Sequence, residues 1–188
     1  MNERPSSIAA RGAGLAIAAA WLVGVGGTMA LDWPMYRGPE HSGISRETDW
    51  KAEWGDAGPK TLWRASVGIG SSGVVVAAGR AYTMGNHGED EGDQMDTVWC
   101  FDAATGGTLW KHVYPCPRLP KYYEGGTLST PTVDGDVVYT VSKMGDLFCF
   151  EAATGKVLWE RQLHRKLGFT LPTWHLSGAP LVLGDRLI

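Results

Sequence analysis

The chain has 188 residues and is nearly charge-balanced, with 17 Lys plus Arg against 20 Asp plus Glu and a net charge of −3. That balance excludes the basic footprint of a nucleic-acid binder or of an anionic-membrane binder. A composition 44% hydrophobic and 20% charged excludes a disordered chain, and 26 Gly with 9 Trp mark tight turns and large rings. With few long helical stretches, such a chain is predicted to be all-β.

Residues 1–30 carry an export address. Arg4 and Arg11 precede an apolar run from Gly12 to Gly27, and Thr28-Met29-Ala30 supplies a small residue for cleavage. This is the pattern of a secretory signal peptide, and its apolar run is short for a membrane span. The sequence has no Arg-Arg pair for a twin-arginine route and no Cys near residues 28–31 for a lipid anchor. No later segment is apolar enough to cross a membrane, so an extracytoplasmic protein without a stable span after cleavage is expected. Residues 31–60 form an N-terminal mature segment, and residues 61–188 carry the repeats.

The first repeat begins around Leu62-Trp63-Arg64 and turns at Ala78-Gly79-Arg80. His87 to Asp96 holds Glu89, Asp90, Glu91, Asp93 and Asp96. Carboxylates so grouped suit a hard cation, but the D-x-[DN]-x-[DN]-G spacing of a calcium loop is missing. The segment reads as a solvated hairpin loop between the second and third strands, and no metal site is assigned.

The strongest signal follows. Cys100 to Trp110 (CFDAATGGTLW) recurs 49 residues later as Cys149 to Trp159 (CFEAATGKVLW). Turns at Asp134-Gly135-Asp136 and Gly184-Asp185-Arg186 are also 49 residues apart. A period in this range marks a repeat architecture. The clearest unit reads as four strands, Pro131–Val133, Val137–Val141, Leu147–Glu151 and Val157–Arg161, the first two joined by a strong Asp-Gly hairpin signal. Val137-Val138-Tyr139 and Leu147-Phe148-Cys149-Phe150 are apolar on both alternating faces, so the sheet is covered on both sides. Four-stranded sheets of about 50 residues buried on both faces are β-propeller blades. Residues 61–188 hold about two such blades and part of a third. Closed rings have about 4 to 8 blades, so the ring is predicted to be incomplete, the N-terminal part of a protein about twice as long.

Cys100 and Cys149 stand at equivalent positions and are predicted to pack as small buried hydrophobes. Cys116, flanked by Pro115 and Pro117, is predicted to be a loop thiol. It opens a connector, Pro115 to Gly126, in which Arg118, Lys121, Tyr122, Tyr123 and Glu124 combine charge and aromatic area, the composition of a contact surface. A proline-stiffened link between blades is the simpler reading of the same residues. Arg161, His164, Arg165 and Lys166 read as a solvated basic loop, His164 and His175 do not make a metal site, and no G-x-S-x-G elbow supports nucleophilic catalysis. No catalytic residue is assigned.

The eleven-residue element resembles the tryptophan-docking motif of pyrroloquinoline-quinone-like (PQQ-like) propeller repeats, Ala-x-Asp-Ala-x-Thr-Gly-x-x-x-Trp. Asp102, Ala103, Thr105, Gly106 and Trp110 match in one copy; Ala152, Thr154, Gly155 and Trp159 match in the next, with Glu151 in the Asp place and Cys for the leading Ala in both. Asp32-Trp33-Pro34-Met35-Tyr36-Arg37-Gly38-Pro39 resembles the mature start of exported bacterial members. The resemblance implies structural roles for Asp102, Thr105, Gly106, Trp110, Glu151, Thr154, Gly155 and Trp159. Each indole is expected between adjacent blades with its N–H on an acceptor, each acidic residue holding the Thr-Gly turn.

It also implies one of two functions. Members similar to the outer-membrane assembly factor BamB bind protein partners and use no cofactor; quinoprotein dehydrogenases oxidise alcohols or sugars with PQQ and calcium. The adjacent Cys-Cys pair and the calcium ligands of the dehydrogenases have no counterpart in these residues. The sequence therefore favours a non-catalytic scaffold with protein partners and no cofactor in this chain.

Overall fold

The computed structural model describes residues 30–48, 50–51, 53–121 and 123–188. The signal peptide expected over residues 1–30 therefore lies, but for Ala30, outside the described residues, as does Tyr122. Every element among them is a β-strand. The first sheet comprises β1 (Val75–Ala77), β2 (Arg80–His87), β3 (Met95–Asp102) and β4 (Thr108–Pro115), and the second comprises β5 (Thr132–Asp134), β6 (Val137–Val141), β7 (Asp146–Glu151) and β8 (Val157–Gln162). Each is a simple antiparallel meander in chain order. A third unit opens with the hairpin of β9 (Val182–Leu183) and β10 (Arg186–Leu187). These are two four-stranded blades and the start of another, in an all-β fold.

The repeat persists at the level of register. Tyr82 pairs with Cys100 and Cys100 with Trp110; Tyr139 pairs with Cys149 and Cys149 with Trp159. Both third strands shift register directly after the Cys. The shift leaves Leu109 and Leu158 as the extra residues, each about half exposed at 48%. A bulge at that point bends the outer strand and raises its local twist. The first hairpin turns with positive φ at Ala78 (49°) and Gly79 (72°), as a two-residue turn that follows strand twist requires.

The core lies between the blades. Tyr82, Met84, Val98, Cys100, Trp110 and Tyr114 of the first sheet form one buried cluster with Val138, Phe148 and Phe150 of the second. Tyr114 and Phe148 have ring centroids 4.8 Å apart, and His112 sits 5.1 Å from both Phe148 and Phe150. The N-terminal segment ties the inner edges together. Trp33 exchanges backbone hydrogen bonds with Val76 of β1 (2.7 and 3.0 Å), while the next carbonyl, that of Pro34, accepts from Val133 of β5 at 2.8 Å. The Asp32 carboxylate accepts the Ala78 N–H at 3.2 Å, holding the strained turn.

Two expectations are corrected here. Cys116 is not an open loop thiol but is 1% exposed. Its N–H donates to the Gln94 carbonyl at 3.0 Å and its own carbonyl accepts Asn86 Nδ2 at 3.0 Å, which folds the connector back over the blade. Asp96 does not belong to the solvated acidic loop. It is the second residue of β3, which is covered on both faces at Asp96, Thr97 and Val98, and its side chain is fully buried.

Candidate functional site

The meander order gives each blade two ends. The hairpin turns around residues 78–79, 103–107, 134–136 and 152–156 share one end; the loop 88–94, the turn 142–145 and the interblade connectors 116–126 and 163–178 share the other.

At the turn end, Trp110 Nε1 donates to the Ala152 carbonyl of the next blade at 2.9 Å, and Trp63 Nε1 donates to the Ala103 carbonyl at 3.0 Å. The rings lie flat against glycines: a Cβ on Gly155 would stand 2.5 Å from Trp110 Cδ2, and one on Gly106 2.5 Å from Trp63 Cδ2. Positive φ at both glycines, 73°, shapes the turn. Asp102 Oδ1 accepts from the Thr105 hydroxyl (2.8 Å), the Thr105 N–H (2.8 Å) and the Ala104 N–H (3.1 Å). Those bonds, the Thr105 hydroxyl first, hold the Asp102 carboxyl below its ordinary pKa. Glu151, one methylene longer, accepts the Thr154 hydroxyl as Asp102 accepts that of Thr105. Trp159 is half-buried, with its ring 5.9 Å from Tyr139 and 5.7 Å from the Arg161 guanidinium.

At the connector end, Arg118 is turned inward. Its N–H donates to Gln94 Oε1 at 2.6 Å, and its guanidinium reaches the carbonyls of Gly88 and Glu89 (3.2 Å), lashing the connector to the acidic loop. Lys121 and Glu124 are exposed and Tyr123 is half-buried. Lys121 Nζ lies 5.4 Å above the ring of Trp174, which belongs to the next connector and is 50% exposed. Phe169 and Leu167 of that connector are exposed as well. The basic cluster is only partly solvated: Arg165 pairs with Asp146 at 3.3 Å, and the His164 ring bonds the Phe169 carbonyl at 2.7 Å.

Beneath the connector, between the blades, lies a polar group that sequence reasoning missed. Asn86 Nδ2 donates to Asp96 Oδ1 at 2.7 Å, and Lys143 of the second blade places its ammonium 3.8 Å from the same oxygen. Asp96 and Lys143 are both wholly buried. Burial, with the Asp96 charge second, pushes the neighbouring Cys116 thiol up to about 12. Lys143 stands in a Lys-Met-Gly turn that signals only a hairpin. Trp174, next to His175 in sequence, lies in no motif that marks it for a contact with Lys121.

A family model described as outer membrane protein assembly factor BamB matches residues 94–188. The chain belongs to the PQQ-like repeat family. No curated protein matches it. Among solved structures, this PQQ-like chain is similar to BamB from Moraxella catarrhalis, at 20% identity over 61% of this chain and 28% of that one, with a TM-score of 0.41. It is also similar to the quinohemoprotein alcohol dehydrogenase from Comamonas testosteroni, at 19% identity over 83% of this chain and 22% of that one, with a TM-score of 0.57. The second likeness bears on the fold alone. The chain thus spans under a third of either structure's length.

The three cysteines are free, buried and separately placed, and among the described residues no three His, Cys, Asp or Glu side chains gather to hold a metal. No helix among the described residues is long and apolar enough to cross a membrane.

Proposed function

We propose that this chain is part of an exported, non-catalytic PQQ-like propeller that serves as a protein-binding or assembly scaffold, with the connector end as its contact surface. The observation that carries this reading is Lys121 Nζ seated 5.4 Å over Trp174. It joins the connectors of successive blades into one surface of half-exposed aromatic, exposed apolar and charged side chains carried on rigid strands. Binding residues concentrate on loops held by a scaffold, and aromatic and cationic groups dominate contact hot spots. The match to the BamB family description supports the same role.

The test is recovery of partners from an extracytoplasmic extract by the chain and by a variant with residues 115–126 replaced by Gly-Ser. The replaced chain should lose them. Equal recovery removes the connector from the contact surface.

A further inference from the structure

We propose that Lys143 is a positioning residue for the connector 116–126, acting from the second blade through Asp96 and Asn86 of the first. The three form a relay. The ammonium of Lys143 faces Asp96 Oδ1 at 3.8 Å, the same oxygen accepts Asn86 Nδ2 at 2.7 Å, and that amide also donates to the Cys116 carbonyl at 3.0 Å. Asn86, Asp96, Cys116 and Lys143 are each exposed by 1% or less.

A lysine is almost never fully buried without a partner, and the carboxylate is its one ion pair among the described residues. Simple stability does not account for the pair, because apolar residues of similar volume commonly serve as well between packed sheets. Its location gives it another use. The turn 142–145 that carries Lys143 belongs to the second blade, whereas the connector leaves the first. Docking of the second blade therefore delivers the charge that orients Asp96, and Asp96 orients the amide that receives the connector. Arg118 fixes the connector from its other side on the carbonyls of Gly88 and Glu89. Connector geometry is thereby tied to correct blade packing.

Cys116 reports on this directly, since a thiol reagent reaches it only when the connector opens. Cys100 and Cys149, buried within β3 and β7, report on the blades themselves. Maleimide labelling of the full chain, resolved by peptide mass spectrometry, is compared for wild type, Lys143→Met, Asp96→Asn and the double variant Asp96→Leu with Lys143→Met. The single variants should label Cys116 about tenfold faster or more, with Cys100 and Cys149 unchanged. The double variant, with no lone charge left inside, should regain the wild-type melting temperature yet keep the fast Cys116.

An unchanged Cys116 rate overturns the proposal. So does a joint rise at all three cysteines, in an unfolded variant or otherwise, and so does a double variant that restores slow labelling. Lys143 bears on function only through the contact surface proposed above, but labelling needs no partner. A failed labelling test therefore leaves that surface standing, and equal partner recovery leaves the relay standing.

Discussion

Trp110 and Ala152, 42 residues apart in sequence, meet through an indole N–H that donates to a backbone carbonyl at 2.9 Å. Trp63 and Ala103 repeat the contact at 3.0 Å. One geometry thus serves two successive turns: a ring on a glycine face, a carbonyl at its N–H, and an acidic residue closing the turn behind it. The rings fill the space that a Cβ would need, so each blade is keyed to its neighbour by the absence of one atom.

Gly155→Ala should destabilise the chain by about 2 kcal/mol or more, since a non-glycine residue at positive φ costs about 1–2 kcal/mol and the added methyl must displace the Trp110 ring. Gly135→Ala is the control. Its φ is 55° but nothing stands within 4 Å of its Cβ position. It should lose only the backbone cost, about 1–2 kcal/mol. Urea melts of both variants measure the difference, and equal losses would contradict ring docking at Gly155.

Trp110→Phe keeps most of the apolar area and leaves the Ala152 carbonyl with only the longer bond from the Tyr82 hydroxyl at 3.3 Å, for a loss of about 0.5–1.5 kcal/mol. Trp110→Ala also opens a cavity against Phe150 and should cost about 3–5 kcal/mol. Calorimetric unfolding compares the two.

The two turns differ by one methylene, and that difference is testable. Glu151→Asp should let the carboxylate accept turn N–H groups as Asp102 does, and raise stability by about 0.5–1 kcal/mol. Thermal melts of the single variant check the sign.

His112 carries a pH dependence. Burial against Phe148 and Phe150 lowers its pKa from 6.5, and the weaker opposing pull of Glu160 does not reverse this. The unfolded chain therefore binds the proton more readily than the folded one, so stability is fully present above pH 6.5 and falls as the pH drops below it. His112→Phe should flatten that decline. Asp102 adds a separate loss, below 3.8, by the same sign. Melting temperature against pH, with and without His112, separates the two windows.

Much of this architecture was legible in the sequence because the repeat acts locally. Cys100, Asp102, Gly106 and Trp110 lie within eleven residues, and their second copy 49 residues on exposes the pattern without any knowledge of the fold. What was not legible depends on blades meeting. Lys143 looks like a turn residue until the first blade closes over it. Cys116, flanked by prolines, resembles an exposed loop thiol until Asn86 takes its carbonyl. Composition groups Arg118 with the contact residues, while its guanidinium holds the neighbouring loop. Asp96 closes an acidic run whose other members face solvent; what separates it from them is its place inside β3, which is covered on both faces there.

The scaffold reading also predicts a negative result with cofactor. Saturating PQQ and calcium should leave the melting temperature unchanged, whereas a ligand held by the folded chain at a hundred times its Kd would add about 2.7 kcal/mol of stability. A clear rise would favour the dehydrogenase reading.

The most direct test of the contact surface is site-specific photo-crosslinking in the extracytoplasmic compartment. A photoreactive residue replaces Lys121, at the connector end, or Asp134, in a hairpin turn at the opposite end. The account predicts discrete protein adducts from position 121 and few from position 134. Adducts from position 134 alone, or none from position 121, would contradict it.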